Sequence, residues 1–564
     1  MKSLWMACIA MVAMTGSAAF AGGTAESAAQ ESAAGAEVAP VAEAAWIPSP
    51  SAITPAAADA YAYDDLSQHV EIEFWSVGWL AQPVPEDDPI SRMLEEELNI
   101  TLTVQFLSNP DLISKLTLRA AADDVPDLLF NSGDKANVQK LVDQGFFLTD
   151  YDPILDQYGP TLQQSIGSFA RISVTKDGVL QFIPKGPENA DDIWYFCIRR
   201  DWLANLGLEM PTNDREFLEV LKQFTFNDPD GNGKDDTWGT TSNGSKTGPG
   251  RAMTMTAVLY GNNTKFGLED GAVTHPMVNG AQRQMLQYVK EIVDAQVIDP
   301  DWYTQDWNQQ KNNLLTGRIG AVVYPITALI AESEAANGND GSTLDWWTWV
   351  PLMNAVGATG EAGRERMWWT YPGAYWAIST KAGDDEVKLK RVMHFLDYLQ
   401  YPNRGYYITE GGYGVFEGYD FHGTPGERWT LEEGSVDPRR ENPGWTALYD
   451  WRRNNTVGSL YNATPVPTFA DELAERTHNL RQEMQAAANA DAANFFERTD
   501  LLLNLDPKTV TNLKDLERRN EILFVTGQRS FDEWDDYLAE WRQGGGDALL
   551  AEAESQYRAL GMID

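Results

Sequence analysis

The sequence predicts an α/β protein of two lobes, in which mixed, mostly parallel sheets are flanked by helices. The chain has 564 residues, which is too long for a single hydrophobic core. A strand, a helix and a second strand follow one another at the start of the folded part, and this order is typical of a parallel βαβ unit. Strand patterns become rare after about residue 380, so a helical carboxyl-terminal extension is predicted.

The first elements show clear periodicity. In VEIEFW, which begins at Val70, apolar residues alternate with glutamates, as in a half-buried strand. From Ile90 to Leu98 the apolar residues fall on one helical face. A second alternating run extends from Ile100 to Phe106. The short connections between these three segments favour a parallel pairing of the two strands.

Two later helices are predicted from their first residues. Asn213 is expected to cap a helix, with Glu216 three residues later, and that helix leads directly into an acidic loop. Near the carboxyl end, Ser530 and Glu533 form a capping-box pattern before a run with an apolar face.

The amino terminus has the pattern of an export signal, residues 1–21. Lys2 precedes an apolar run from Leu4 to Met14, and small residues follow up to Ala21. The run is too short for a permanent membrane span, so we expect cleavage after Ala21, with an uncleaved anchor as the alternative. Cys8 has no lipid-attachment context, so no lipid anchor is predicted. The expected location is periplasmic or extracellular.

Residues 22–66 are predicted to be a flexible tether. They are rich in Ala, Glu, Ser and Pro, and their apolar residues follow no period. The folded part is expected to begin at Ser67.

The chain is strongly acidic, with a formal net charge of −40 and an isoelectric point of about 4.4. A field of this sign repels phosphate backbones and anionic lipids. Binding to nucleic acid or to a membrane surface is therefore disfavoured.

The acidic loop NDPDGNGKDDTWG, from Asn227 to Gly239, concentrates oxygen donors. Asp228, Asp230 and Asn232 occupy alternate positions, and Asp236 follows four residues later. Alternate residues of a loop point to the same side, so these donors are able to converge. Crowded carboxylates repel one another unless a cation lies among them, and Ca²⁺ takes six to eight oxygen ligands of this kind.

The spacing approaches that of an EF-hand loop without completing it. Gly233, at the sixth position, permits the sharp turn, and Lys234, at the seventh, would offer its backbone carbonyl. The twelfth position is Gly239, where an EF-hand has a bidentate glutamate. The residues leave two interpretations open: a structural calcium site, or an unmetallated turn made of good turn formers.

The abundance of aromatic residues favours a carbohydrate ligand. The chain has 20 Trp and 21 Tyr, and sugar sites combine flat aromatic faces with a few fixed polar groups. Candidate ligand-binding residues follow apolar strands, lie in the segment MWWTYPGAYW, or belong to an Arg-Asp-Trp motif and a later glycine pair. They are Trp75, Trp79, Asn131, Asp134, Arg199, Trp368, Trp369, Tyr371, Tyr375, Gly412 and Tyr413.

These candidates also have structural interpretations. Trp75 and Trp79 follow the first strand, where the binding loops of a parallel sheet emerge, but most tryptophans pack in cores. Arg199 is suited to an acidic sugar, although a structural ion pair with Asp201 or another carboxylate is the favoured interpretation.

Several segments, in a fixed order, resemble a known family. They are ADDVPDLLF, LVDQGFFLTDYDPILDQYGPTL, IRRDWLANLGLEMPTNDREFLEVLKQF, DPDGNGKDDTWG and FVTGQRSFDEWDDYLAEW. Together they resemble the extracellular solute-binding proteins of carbohydrate ABC transporters (family 1), in the branch that includes the LplA-type and alginate-oligosaccharide-binding proteins. The resemblance runs from Val70 to the end. It implies the periplasmic-binding-protein fold, with a ligand cleft between two lobes and hinge closure on binding.

The resemblance also implies lobe boundaries and metal ligands. Lobe 1 would comprise 67–190 with part of 321–375, and lobe 2 would comprise 191–320 with 376–564. The related alginate-binding proteins carry a calcium loop at the corresponding place. The position that follows Asp236 is acidic in those proteins but is Thr237 in this sequence. One of the family's calcium ligands therefore has no carboxylate counterpart here. The implied calcium ligands are Asp228, Asp230, Asn232, Lys234 and Asp236.

The predicted function is capture of a sugar or oligosaccharide for delivery to the permease subunits of an ABC importer, by a monomer. The alternatives are a secreted glycoside hydrolase and a calcium-dependent extracellular structural protein. No spacing typical of a catalytic triad or a zinc site occurs among 5 His and 2 Cys, so an enzyme is not expected. A structural protein would show repeated modules, and the sequence has none.

Overall fold

Two mixed sheets, each with its own hydrophobic core, organise the chain in the computed structural model. The structure describes residues 53–77, 88–131, 135–185, 194–246, 248–250, 256, 259–260, 266–269, 271–351, 353, 355, 374–411, 421–422, 430–431, 472–490 and 501–563. The strands are β1 Val70–Val77, β2 Ile100–Leu107, β3 Leu128–Asn131, β4 Thr175–Lys176, β5 Val179–Leu180, β6 Ile183–Pro184, β7 Trp194–Arg199, β8 Trp238–Thr240, β9 Gly267–Glu269, β10 Ala272–Thr274, β11 Ile319–Pro325, β12 Trp347–Trp349, β13 Tyr375–Ile378, β14 Phe421–His422 and β15 Thr430–Leu431.

Helices flank both sheets and dominate the carboxyl-terminal part. They are α1 Pro89–Leu98, α2 Asn109–Ala120, α3 Lys135–Asp143, α4 Asp152–Tyr158, α5 Pro160–Ser165, α6 Ser168–Ile172, α7 Arg200–Leu206, α8 Asp214–Phe226, α9 Pro276–Asn279, α10 Ala281–Asp294, α11 Trp307–Leu315, α12 Ile326–Ala336, α13 Thr380–Asp384, α14 Glu386–Tyr398, α15 Arg404–Gly411, α16 Glu472–Ala490, α17 Pro507–Val525, α18 Trp534–Trp541 and α19 Asp547–Ala559. Of the helices described, none combines the length and the apolarity needed to cross a bilayer.

The first sheet has the strand order β2-β1-β3-β13-β6. β1 is parallel to β2 and β3, and β13 is antiparallel to β3 and β6. The predicted βαβ unit is confirmed, since α1 connects β1 to its parallel neighbour β2. Ile72, Phe74 and Ile90 are buried in the first core, as their periodicity predicts.

The second sheet has the order β12-β7-β11-β8. β7 is antiparallel to both of its neighbours, and β11 is parallel to β8. α8 and α10 cover this sheet with a largely aliphatic and aromatic core, to which α17 and α18 contribute Phe524 and Tyr537. The predicted class, α/β with mixed sheets and a helical carboxyl-terminal part, is confirmed.

Both helix starts singled out in the sequence have the expected caps. The Asn213 side chain accepts hydrogen bonds from the backbone N–H groups of Arg215 and Glu216, at 3.1 and 3.0 Å. Ser530 and Glu533 form a complete capping box before α18.

The membership of the two sheets differs from the predicted lobe boundaries. β11 lies in the second sheet, although the sequence assigns part of 321–375 to lobe 1. β13 and α14 pack in the first core, although the sequence assigns 376–564 to lobe 2. Pairing between distant segments decides this membership, and local patterns do not encode it.

The segment before the first strand is packed rather than free from residue 53 onward. The Tyr61 ring stacks on His394 with centroids 4.0 Å apart, and its hydroxyl donates to Asp397 at 2.8 Å. The Asp64 carboxylate accepts a hydrogen bond from Arg391 Nε at 2.6 Å. These contacts correct the predicted tether, because 53–66 belongs to the folded part; the rest of the tether, 22–52, and the signal, 1–21, lie outside the described residues.

Candidate functional site

Two connections between strands of the two sheets, β6 to β7 and β12 to β13, attach at one edge of each sheet. In the first sheet, the carboxyl ends of β1, β2, β3 and β6 lie beside the amino end of β13, because β13 runs opposite to the others. Residues 185–193 lead from β6 to β7, and 350–374 lead from β12 to β13. In the second sheet these segments meet the amino end of β7 and the carboxyl end of β12, which are antiparallel neighbours. We call the edge of each sheet to which these segments attach the connecting edge of that sheet.

Ligands of open α/β sheets bind outside the carboxyl ends of the strands. The connecting edge of the first sheet carries four such ends, and that of the second carries the carboxyl ends of β8, β11 and β12. A ligand that contacts both sheets is therefore expected at the connecting edges.

Two candidate residues meet at the connecting edge of the first sheet. Asn131 and Tyr375 are directly opposite in the β3–β13 pairing, and the Asn131 amide donates to the Tyr375 hydroxyl at 3.1 Å. Both are fully buried, and the Tyr375 ring packs on Phe182 at 4.2 Å between centroids. In this arrangement they form a fixed polar layer directly beneath the edge.

Trp75 packs in the first core. Its side chain is 4% exposed, and its indole N–H donates to Glu73 Oε1 at 3.0 Å. The Arg119 guanidinium lies 5.0 Å from the ring centroid and also pairs with Glu73. The ring is thus covered by protein groups, which agrees with the core interpretation of this tryptophan.

Arg199 forms the structural ion pair that the sequence favours. It is 3% exposed and donates to both carboxylate oxygens of Asp201, at 2.8 and 2.6 Å. Its guanidinium lies 4.1 Å from the Trp346 ring centroid and 4.5 Å from that of Trp202. It also stands at the carboxyl end of β7, opposite the connecting edge, which favours the structural role over contact with a ligand at that edge.

The other candidates cannot be placed. Trp79, Asp134, Trp368, Trp369, Tyr371, Gly412 and Tyr413 lie outside the described residues.

A polar groove that the sequence patterns did not predict lies at the connecting edge of the second sheet. Its volume is about 700 Å³. Two charged residues line it, Lys246 and Asp301. The remaining lining is uncharged: Thr304, Gln305, Asn308, Gln309, Asn312 and Asn313. We call it the amide groove. Its sequence signal is the run NQQKNN at 308–313, in which five of six residues are amides.

Backbone pairing beyond the end of β8 builds one wall of the amide groove. The N–H groups of Gly244 and Lys246 donate to the carbonyls of Trp302 and Tyr303, both at 2.8 Å. Because β8 reaches the connecting edge at its carboxyl end, this wall extends the edge outward.

A buried carboxylate fixes the other wall. Asp299, 2% exposed, accepts hydrogen bonds from Gln305 at 3.1 Å and from Asn313 at 3.0 Å. Gln305 also donates to Thr241 Oγ1 at 2.8 Å. These bonds hold the loop before α11 in place.

An aromatic pair lies next to the groove at the start of α11. Trp307 stacks on Tyr324 with ring centroids 5.6 Å apart and an interplanar angle of 10°. Tyr324 is near the carboxyl end of β11, so the pair belongs to the same connecting edge.

The acidic loop brings its predicted donors together. The Asn232 amide donates to Asp230 Oδ2 at 2.8 Å and to Asp236 Oδ1 at 3.1 Å. Asp228 accepts from the N–H groups of Asn232 and Gly233, at 3.1 and 2.9 Å. Three carboxylates thus converge on Asn232: Asp230 and Asp236 bond its side-chain amide, and Asp228 bonds its backbone N–H.

The electrostatics of the loop are those of crowded carboxylates. Burial and the neighbouring carboxylates of Asp228 and Asp236 raise the pKa of Asp230. The Lys234 N–H donates to Asn232 Oδ1 at 2.8 Å, so the amide oxygen faces away from the carboxylates. A 180° rotation of the Asn232 side-chain amide would turn its oxygen toward the carboxylates. The side chains of the loop would then offer a set of hard oxygen donors, as calcium requires.

Among the residues described, no group of three or more acidic, histidine or cysteine side chains is arranged to hold a metal.

The acidic loop leads into the amino end of β8, and its Pro229 carbonyl accepts from Asn205 Nδ2 at 3.0 Å. It therefore lies opposite the connecting edge, away from the amide groove.

Comparisons with known proteins agree with this architecture. Residues 77–402 match the family model described as bacterial extracellular solute-binding protein. Lipoprotein LipO of Bacillus subtilis is 23% identical over 493 residues, which cover 85% of this chain and 91% of LipO. The polygalacturonan/rhamnogalacturonan-binding protein YtcQ of the same organism is 23% identical over 509 residues, covering 86% of this chain and 91% of YtcQ.

Solved structures share the fold. An HMO-binding, ABC-transporter-associated solute-binding protein of Bifidobacterium longum infantis superimposes with a TM-score of 0.64 at 17% identity, covering 87% of this chain and 99% of that one. An EF-hand mutant of the substrate-binding protein FusA of S. pneumoniae, in complex with fructo-nystose, gives a TM-score of 0.61 at 16% identity, with coverage of 87% and 99%. At these identities the likeness establishes the two-lobed α/β fold.

Proposed function

The chain belongs to the family of bacterial extracellular solute-binding proteins, and from this premise we propose that it captures an oligosaccharide between its two lobes and delivers it to an ABC importer. The observation that carries the proposal is the pair of connecting edges, where strand ends of both sheets meet the segments that join them. The names of YtcQ and of the solved neighbours, which specify saccharide ligands, support the choice of a carbohydrate.

The protein acts by binding and release, not by catalysis. Ligand contacts to both lobes favour the closed arrangement over the open one, and the permease subunits receive the ligand unaltered. We propose that it works as an exported monomer in the periplasm or outside the cell.

Calorimetry against a panel of oligosaccharides is expected to find saturable binding of one ligand per chain. Small-angle scattering of the same samples should show a smaller radius of gyration with ligand, because contacts to both lobes stabilise the closed state. Chromatography of the mixture should recover the saccharide intact. Cleaved saccharide would favour the glycoside hydrolase, and an unchanged radius of gyration at saturation would contradict hinge closure.

We further propose that the acidic loop binds Ca²⁺ through Asp228, Asp230, Asn232, Asp236 and the Lys234 carbonyl, in a structural role. Its oxygen donors converge, burial and the neighbouring carboxylates raise the pKa of Asp230, and the description of the FusA structure names an EF-hand. A bound cation would relieve the repulsion between these carboxylates and join α8 to β8.

Replacing Asp230 with alanine is expected to lower the melting temperature in calcium buffer but not in chelator. A ligand at 100 times its Kd stabilises the folded state by about 2.7 kcal/mol, which sets the scale of the loss. The control is Asp235→Ala, which removes an exposed carboxylate of the same loop outside the proposed ligand set. Equal melting of the wild type with calcium and with chelator would remove the calcium proposal.

A further inference from the structure

We propose that the amide groove binds part of a neutral oligosaccharide, and that the ligand class is neutral saccharides rather than uronates. This inference rests on the proposed function and specifies its ligand. Three observations carry it: the charge balance of the groove, the exposed amides among its lining residues, and its position at the connecting edge.

The groove is close to neutral and offers no guanidinium. Lys246 and Asp301 are its charged lining residues and have opposite signs. Recognition of a carboxylate commonly uses the planar, bidentate donors of arginine, and no arginine is among the residues that line the groove. The net charge of −40 adds a repulsive field for a polyanionic ligand. A polyuronate would meet this field without a compensating cluster of positive charge in the groove.

Four of the five amides of the groove divide into two kinds; the fifth, Gln309, belongs to the capping box at Asp306. Gln305 and Asn313 are bonded to the buried Asp299 and form a fixed wall. Asn308 and Asn312 lie one turn apart on α11, and both are exposed. Their side chains have no hydrogen-bond partner among the residues that the structure describes.

These two exposed amides match the chemistry of sugar hydroxyls. A carboxamide offers two N–H donors and a carbonyl acceptor, and a hydroxyl both donates and accepts. Adjacent hydroxyls of one sugar ring are therefore suited to a pair of amides on neighbouring helical turns.

The position and size of the groove also fit a ligand site. Its volume of about 700 Å³ falls within the ~300–1,000 Å³ that is typical of small-molecule sites. The Trp307–Tyr324 stack stands beside it and supplies aromatic surface at the same edge. A saccharide in the groove would lie beyond β8, on the same edge of the second sheet at which the segments from the first sheet reach β7 and β12.

The test is calorimetry with neutral tetrasaccharides (α-linked glucose and β-linked fructose) and with tetragalacturonate of the same length. The variants are Asn308→Ala, Asn312→Ala and the double variant. Each single variant is expected to weaken binding of the neutral ligand about 3- to 10-fold, the effect of one hydrogen bond, and the double variant should weaken it further. Gln287→Ala is the matched control. The Gln287 amide, on α10, lines a separate cavity, so its removal should leave binding unchanged. Unchanged melting temperatures verify folding.

The outcomes separate this inference from the proposed function. Neutral binding that is unaffected by both asparagine variants overturns the groove but leaves the oligosaccharide-binding function in place. Binding of tetragalacturonate in preference to every neutral ligand overturns the ligand class. Failure of the wild type to bind any saccharide overturns the proposed function itself.

Discussion

Replacing Arg391 with methionine is expected to lower the free energy of unfolding by about 3–5 kcal/mol, the range for breaking a buried ion pair by removing one partner. The Arg391 and Asp64 side chains are 0% and 1% exposed, and Arg391 Nε donates to Asp64 at 2.6 Å. The remaining guanidinium N–H groups donate to four backbone carbonyls, those of Leu98, Asn99, Asp65 and Gln68, at 2.6–3.1 Å. Methionine has a similar length but no donor, so the carboxylate and the carbonyls would lose these hydrogen bonds together.

The pKa of Asp64 indicates that its surroundings favour the charged carboxylate. Burial alone would raise it, but hydrogen bonds from His394 and Arg391 outweigh the burial and hold the pKa of Asp64 below its usual value. Without Arg391 the buried carboxylate keeps, among the side chains described, only the His394 ring nitrogen at 2.8 Å as a hydrogen-bond partner. Stability from this group is present above the unfolded pKa of an aspartate and is lost as the pH falls through the lower folded pKa.

Denaturant unfolding at neutral pH measures this effect, with Lys390→Met as the control. Lys390 precedes Arg391 on α14 and pairs with Glu386, which is 78% exposed, so its loss should cost little stability. A second variant, Asp64→Leu with Arg391→Met, removes both charges and should recover part of the stability. A loss from Arg391→Met no larger than that from Lys390→Met would show that the buried Arg391–Asp64 pair contributes little to stability.

The sequence predicted those elements whose patterns are local. Alternation in β1 and β2 and the one-sided apolar face of α1 located these elements to within a residue or two, because each pattern is repeated along one continuous segment. The caps at Asn213 and Ser530 were predicted for the same reason, since the cap and its partner lie within three residues. The acidic loop is likewise local, and its donors converge as predicted.

Features that depend on distant segments were not predictable in this way. Asp64 lies in an Ala- and Pro-rich stretch with no period, and its partner Arg391 is more than 300 residues away. The alternation of β1 does not say whether both faces of the sheet are covered, so the burial of Trp75 under Arg119 could not be read from it. The amide groove joins the 244–246 loop to α11, and only its amide-rich run was visible in the sequence.

The second large effect concerns a buried carboxyl group in the second core. Burial raises the pKa of Glu521, on α17, to about 8, with Glu517 one turn away as the next cause. Glu521 accepts a hydrogen bond from the Gln282 amide of α10 at 3.0 Å, and Tyr537 of α18 and Arg518 also face this group. The folded protein therefore holds a proton here at pH values where the unfolded chain has lost it.

The sign of the pH dependence follows from this proton. Between the unfolded pKa near 4.5 and the folded pKa near 8, the folded state binds more protons than the unfolded state, so stability falls as the pH rises. One proton corresponds to a slope of about 1.4 kcal/mol per pH unit. Glutamine reproduces the neutral form, so Glu521→Gln should match the wild type near pH 4.5 and exceed it increasingly up to pH 8.

Urea unfolding of the wild type and Glu521→Gln at pH 5, 6, 7 and 8 measures this difference in slope. Glu71→Gln, which changes an exposed glutamate on β1, is the control and should leave the slope as in the wild type. The pKa of Glu517 is also raised, with burial as the largest cause. Because Glu517 remains in Glu521→Gln, the stability of that variant still falls with rising pH, with a smaller slope. A constant difference between wild type and Glu521→Gln across these pH values would mean that Glu521 is ionised in the folded protein, with Gln282 and Arg518 stabilising the carboxylate.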